Sequence, residues 1–315
     1  MPFDCSQVAV PFRMQPGLRR VAADARQLTP ARHGGAYQRE KIGVLADFAT
    51  QALVATPGFD VGPVLSAMAS EAAKSDKPAF TQDGELSFQA PRLGWKVVGD
   101  CVEGDGDPAI RALLESLPPL QRSTALLCLA FEEDFALIDG DDATIPWLAV
   151  CLPSRWAPED KVGRHFAEVH APVADNALLV SASEQLARLV TGTDRWERVV
   201  WTISADPRLH QHPARVSTGW PLAADADAIG ALAVFRHEYQ TFIPLPGRRQ
   251  AVFTIHVESE PLASAFSHRS DALRVHASLA SMSPAVLAYR GLDGVRDHLL
   301  DWLVQHATTL PATGS

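Results

Sequence analysis

The 315-residue chain is 47% hydrophobic and carries a net charge of −9. It can therefore bury a sizeable core, and it lacks the basic balance of a broad nucleic-acid or anionic-membrane surface. No stretch reaches roughly 18 consecutive apolar residues, and the opening MPFDCSQVAVPFRM lacks a basic n-region and is broken by Pro11, so neither a membrane span nor a secretory leader is expected.

In chain order, Tyr37 to Ala55 places apolar residues at Ile42, Leu45, Phe48, Ala49 and Leu53, the spacing of a helix. Val61 to Ser75 reads as a second helix, and Lys77 to Arg92 as polar and irregular. Pro108 to Leu120 is a third helix, with proline at its start and a Pro-Pro stop. From Arg122 the texture turns to strands: STALLCLAFEEDFALIDGDDATIPWLAVCLP holds three apolar runs split by acidic turns. PEDKVGRHFAEVHAPV, Pro158 to Val173, reads as a short amphipathic helix. At ~100° per residue, Val162, Gly163, Phe166, Val169 and His170 share one face, and Asp160, Lys161, Arg164, His165 and Glu168 the other. Pro158 and the acids after it suit a helix start, and Pro172 stops it with His170 in the last turn.

Ala182 to Gly192 is a further helix and Trp196 to Asp206 a strand. ALAVFRHEYQTFIPLP and QAVFTIHVES flank Pro-Gly-Arg-Arg as a long hairpin. The tail is helical, with Val295, Leu299, Trp302 and Leu303 as its last apolar stripe, and the LPATGS end is expected to fray. Strands cluster between about 122 and 258 with helices at both ends, which predicts an α+β fold around an antiparallel sheet. The expected organisation is one domain over 1–315: a helical and irregular part over 1–121, a core over 122–262 and helices over 263–315.

G-x-G-x-x-G, P-loop, G-x-S-x-G and H-E-x-x-H motifs are all absent from the sequence. Cys5, Cys101, Cys128 and Cys151 form no C-x-x-C pair; Cys128 and Cys151 lie in apolar runs, and a reduced cytoplasmic compartment is expected. His210 and His212 in LHQHP have a chelating spacing but read as loop; EGDGDP and DGDD read as turns, and FEEDF as a hairpin tip. Two features keep a sharper reading open. His170 is either a core histidine bonded to a carbonyl or a neutral imidazole held as a metal or heme ligand. Arg236, Glu238 and Gln240 share one face of a core strand, where they pair with one another, with a neighbouring strand, or around a charged cofactor.

LPSRWAPEDKVGRHFAEVHAPV, WERVVWTISADPRL, FRHEYQTFIPLPGRRQAVFTIHVESEPL and, more weakly, PFRMQPGLRRV together resemble the heme-dependent oxidative N-demethylase-like family, whose heme-binding core is PAS-like. Ser154, Trp156, Lys161, Gly163, His170, Pro172 and Val173 fit its first pattern. Trp201, Asp206 and Pro207 fit the second. Arg236, Glu238, Gln240, Thr241, Leu245, Pro246, Phe253, Thr254 and Ile255 fit the third. Order and spacing agree over about 145–262. Three positions depart: Tyr239 and His256 stand where the pattern has arginine, and Val200 where it has asparagine.

The resemblance implies a PAS-like antiparallel core over 122–262 and a heme b whose axial ligand is His170, with His256 and His165 as rivals. It implies Arg236 as the better propionate partner, with Lys161 and Arg164 at the heme edge. Glu238, Gln240, Thr241 and Tyr239 would line the distal or substrate side. The implied activity is O2-dependent oxidation of a small methylated amine, with electrons from an external reductase. Two rival readings remain, a heme-binding or gas-sensing protein without turnover and a heme-less descendant that binds a small ligand.

Overall fold

Short helices and strands alternate in the first third: β1 (Arg19–Val21), α1 (Ala36–Ala52), β2 (Leu53–Ala55), α2 (Gly62–Ala72), β3 (Thr81–Gly84), β4 (Ser87–Ala90), β5 (Trp95–Val98), β6 (Cys101–Gly104) and α3 (Pro108–Ser116). The middle holds α4 (Pro119–Ala130), β7 (Asp134–Asp139), β8 (Trp147–Ala149), α5 (Phe166–His170), α6 (Ala177–Ser181), α7 (Ser183–Val190) and β9 (Arg195–Ser204). Then come α8 (Ala226–Leu232), β10 (Val234–Pro244), β11 (Gln250–Pro261), α9 (Arg269–Ala280), α10 (Pro284–Arg290) and α11 (Arg296–Thr309). The structure is a computed structural model and describes residues 3–216, 219–221 and 225–312.

The expected α+β architecture is present. A seven-stranded sheet runs β1-β9-β10-β11-β7-β8-β2, and a four-stranded one runs β3-β4-β5-β6. The named strand pairs are antiparallel throughout. An antiparallel sheet flanked by helices is compatible with a PAS-like core. The β10–β11 hairpin is its spine, with Arg236 opposite Ser259, Glu238 opposite Val257 and Gln240 opposite Ile255. On the other side of β10, Arg236 pairs with Thr202, Glu238 with Val200 and Gln240 with Arg198.

Strand alternation divides this sheet into two faces. One carries Trp196, Arg198, Arg236, Glu238, Gln240, Phe242 and Phe253. The segment around α5 and α7 covers part of it: Phe166, Ala187 and Val190 cluster with Phe242, Trp196 and Phe253, and Val162 and Val169 with Ala136, Leu148 and Val150. The opposite face carries Trp201, Ile203 and Phe235. Helices α9 to α11 close over it with Val275, Leu279, Leu299, Trp302 and Leu303. The main core lies around α1, α2, α4 and the small sheet, with Leu45, Met68, Phe80, Leu126 and Phe135 almost fully enclosed. At its edge the buried ammonium of Lys41 on α1 pairs with Asp134 on β7 at 3.2 Å.

Four sequence expectations need correction. STALLCLA is not a strand but the second half of α4, because a short apolar run does not by itself tell a buried helix from a buried strand. The second of the two prolines expected to stop α3 opens α4, a position that suits proline. The stretch from Lys77 to Arg92 is not irregular; it supplies β3 and β4, paired across a bulge, each strand too short for a clear alternation. The helix expected over 158–172 is broken into a 3-10 turn at Pro158–Asp160 and the five residues of α5. Elsewhere α1, α2, α7, the β10–β11 hairpin and the C-terminal helices lie where the pattern predicts, although β2 takes the last three residues expected in the first helix. The expected fraying of LPATGS falls partly on residues 313–315, which lie outside the described residues.

The break has a local cause. Gly163 adopts φ 75°, a left-handed conformation in which helix does not continue. Its N–H donates to the Ile145 carbonyl at 2.8 Å, and Phe166 N–H donates to Ala143 at 2.7 Å. The chain is thus drawn alongside 143–145 before α5 starts. A Gly163→Ala variant is expected to lose about 1–2 kcal/mol, the cost of a left-handed non-glycine residue. Urea unfolding measures it, and an unchanged midpoint would refute the turn's importance.

Candidate functional site around His170

The α5 helix is capped by the His165 ring, whose Nδ1 accepts the Ala167 N–H at 3.1 Å. One turn later the Nδ1 of His170 lies 2.8 Å from the Phe166 carbonyl, with the two rings 4.1 Å apart. A carbonyl only accepts, so His170 Nδ1 carries the proton and the lone pair is on Nε2. Nε2 has no hydrogen-bond partner among the described residues. Burial pushes the imidazole pKa down to about 4, opposed by the Phe166 bond and aided by the charges of Arg198 and Lys161. His170 is therefore neutral at pH 7, with a free Nε2 lone pair beside an apolar wall.

The two rival histidines differ in kind. With Nδ1 acting as an acceptor, neutral His165 keeps its proton on Nε2, which makes that nitrogen a donor. His256 projects from the opposite sheet face, and its Nε2 is paired with Glu132 at 3.2 Å.

A continuous polar row runs along the sheet face that carries Arg198. Arg198 Nε donates to Gln240 Oε1 at 2.6 Å, and Gln240 Nε2 donates to Glu238 Oε2 at 2.5 Å. The Ser154 hydroxyl donates to Glu238 Oε1, and Arg236 Nε donates to Ser154 Oγ at 2.8 Å. Of the alternatives the sequence leaves for Arg236, Glu238 and Gln240, mutual and cross-strand pairing is what the fold builds. Arg198 is the member that sequence reasoning missed. Its signal was present, since it lies two residues before Val200 in the same resembling segment, but only the β9–β10 register sets it against Gln240.

Several expected placements change. Arg236, expected at a cofactor's propionates, is 1% exposed, and all three of its nitrogens are engaged by Ser154 and by the carbonyls of Leu152, Pro153, Arg208 and Leu209. It fastens two loops to the sheet. Tyr239 and Thr241 are not brought together with Glu238 and Gln240; strand alternation sends them to the other face, where Thr241 shares a hydrogen bond with Thr254 at 2.6 Å. Lys161 was expected to point away from His170. The broken helix instead folds its amine toward the end of α5, 3.3 Å from the Val169 carbonyl, where burial lowers its pKa. Arg164 is exposed.

The donor chemistry around His170 fits a heme: a neutral imidazole oriented by a backbone carbonyl, aromatic and aliphatic side chains beside it, and cations for acidic substituents. Among the described residues, no three His, Cys, Asp or Glu side chains form a metal cage. His210 and His212 do not chelate: His210 Nδ1 meets the Cys151 carbonyl at 2.6 Å, and His212 Nε2 meets Glu159 at 3.1 Å. A cavity of about 770 Å³ opens elsewhere, beside Tyr37, with Glu40, Glu132, Glu258 and Glu260 in its wall. Four carboxylates are the wrong sign for a propionate-bearing porphyrin.

At this acidic wall His256, which stands in place of the family pattern's arginine, answers Glu132 and lies 4.0 Å from Glu258. Burial lowers its pKa, but the Glu132 hydrogen bond and the charges of Glu133, Glu258 and Glu132 outweigh that and raise it. A raised folded-state pKa contributes stability that is complete below the unfolded value of about 6.5 and fades as pH rises through the folded one. Thermal unfolding from pH 6 to 9 is expected to show this decline in the wild type and a flatter profile in His256→Gln. Parallel profiles would remove His256 from the account.

A family model described as Haem-dependent oxidative N-demethylase, alpha subunit-like matches residues 112–300, more than half of the chain. The match takes in α4, both faces of the large sheet, α5 with His170, and most of the C-terminal helices.

Proposed function

The chain belongs to the haem-dependent oxidative N-demethylase alpha-subunit-like family, and from that premise we propose that it oxidises a small N-methylated amine with O2 at a heme b ligated by His170. The observation that carries this reading is the His170 ring: Nδ1 held by the Phe166 carbonyl, Nε2 without a partner, and a pKa low enough to keep the ring neutral. A bound heme would supply O2 binding and activation. The protein's own residues do the rest. Phe166 fixes the imidazole's tautomer and tilt, apolar side chains around α5 flank the ring, and Glu238 offers a carboxylate for a substrate ammonium. Gln240 and Ser154 hold that carboxylate through both oxygens.

The overall change consumes one amine, one O2, two electrons and two protons. It yields the demethylated amine, formaldehyde and water. The sequence holds no flavin or iron–sulfur motif, so the electrons are assigned to a separate reductase. Among the described residues no helix is long and apolar enough to cross a membrane. The four free cysteines support a reducing, cytoplasmic setting. We treat 1–315 as one domain, with 122–262 as the heme-binding core.

The test is an absorption spectrum of the purified protein before and after hemin addition, followed by formaldehyde measurement with dimethylamine, O2 and a chemical reductant. A stoichiometric Soret band with formaldehyde release supports the proposal. A band without turnover points to a sensor or carrier, and no band removes the oxygenase reading.

A further inference from the structure

We infer that Arg198, with the indole of Trp196 beside it, is a carboxylate-binding position on the sheet face near His170. The inference rests on the heme reading for its location and on the hydrogen bonds of Arg198 for its chemistry. Arg198 is a half-buried cation, and its positive charge is felt at the His170 ring. Its Nε is fixed by Gln240, and Nη1 has only a long 3.4 Å contact to the Pro16 carbonyl. Nη2 has no partner among the described residues, and no carboxylate of theirs forms an ion pair with the guanidinium. Glu238, one residue further along the row, acts on Arg198 by charge alone; each of its oxygens accepts one hydrogen bond, from Ser154 and from Gln240.

Trp196 lies two positions earlier on the same strand face, about 7 Å away along β9. Its indole Nε1 is buried without a partner. The indole donor and the guanidinium thus belong to two residues of one strand face.

The contrast with neighbouring arginines makes the point specific. Arg236 has every nitrogen engaged, and Arg195 holds both oxygens of Glu71 at 2.7 and 2.8 Å. A half-buried guanidinium attracts an anion, and its planar fork matches a carboxylate. Gln240 sets the fork's orientation by holding Nε, which leaves the Nη edge for the ligand. Two sources provide a carboxylate beside His170: a heme propionate, or the acid group of an N-methyl amino acid substrate such as N-methylglycine. In the second case Arg198 and Glu238 form a matched pair, one for the acid and one for the ammonium.

The experiment titrates the full chain with hemin and with hemin dimethyl ester, following the Soret band, in wild type, Arg198→Gln, Arg198→Lys and Trp196→Phe. Calorimetry compares N-methylglycine with dimethylamine on the same proteins, with and without hemin. If the ligand is a propionate, Arg198→Gln weakens hemin roughly 10–100-fold, the range for a hydrogen bond to a charged group, and leaves the diester unchanged. If the ligand is the substrate's acid, hemin affinity holds while N-methylglycine loses its advantage over dimethylamine. In either case Arg198→Lys, which keeps the charge without the fork, falls between wild type and Arg198→Gln.

A folded Arg198→Gln protein, with a wild-type unfolding midpoint, that binds hemin and N-methylglycine normally overturns the inference. Should Arg198→Gln not fold, the lysine and Trp196→Phe variants decide it by the same comparisons. A wild type that takes up neither porphyrin sinks the heme reading instead, and the calorimetric comparison then judges Arg198 alone.

Discussion

Replacing His170 by alanine is expected to abolish the stoichiometric Soret band on hemin addition, while the far-ultraviolet circular dichroism stays that of the wild type. The ring sits at the end of a five-residue helix and is half-buried, so its removal leaves the sheet and the main core intact. What it does remove is an available imidazole lone pair: His165 caps its own helix, and His256 is paired with Glu132 on the other face. His170→Gly with added imidazole is expected to restore the band, because the space and the Phe166 carbonyl remain to seat a free ring. A band unchanged in His170→Ala would move the ligand elsewhere and leave His170 as a helix-end residue satisfied by a carbonyl. Phe166 acts on the same ligand through its carbonyl, 2.8 Å from the ring. Its carbonyl determines which nitrogen carries the proton, so a disturbed α5 should weaken heme even with His170 in place.

Lys41→Met is expected to cost about 3–5 kcal/mol of stability, the range for breaking a buried ion pair by removing one partner. Lys41 and Asp134 are 0% and 1% exposed. The ammonium also donates to the carbonyls of Phe131 and Glu133, at 3.1 and 2.5 Å. Asp134 accepts the Leu152 N–H at 2.6 Å. The pair therefore ties α1, the turn before β7 and the exit of β8 to one point. Burial pulls the Lys41 pKa down, but the Asp134 charge and hydrogen bond, together with smaller neighbouring contributions, raise it on balance, so the amine stays protonated. Alone, the lysine change strands a buried carboxylate; the double variant Lys41→Met with Asp134→Leu is expected to regain a large part of the loss. Urea unfolding reads both. A single variant as stable as wild type would show the pair to be dispensable.

The sequence determined much of this architecture where a periodic signal was long. The β10–β11 hairpin, α1, α2 and the C-terminal helices follow from apolar runs, turn residues and helical spacing alone, because each of those signals is long. It misled where the signal was short. STALLCLA is apolar on every side because that half of α4 is enclosed all round, and the strands within Lys77 to Arg92 are only four residues long, with β3 half-exposed. His170 and the Arg236-Glu238-Gln240 row were legible as residues that needed partners.

Which partners they have was a tertiary matter. Arg236 is closed off by carbonyls from loops near 152 and 208, contacts more than twenty residues away in sequence. Arg198 joins the row only through the β9–β10 register. Tyr239 is separated from Glu238 by a fact that sequence alternation already contains, since neighbours on a strand face opposite ways. The tautomer of His170, finally, depends on a single 2.8 Å contact within one helical turn. The sequence placed a histidine at a helix end, but only the left-handed turn at Gly163 delays that helix to Phe166, so that the carbonyl of its first residue meets the ring of its last.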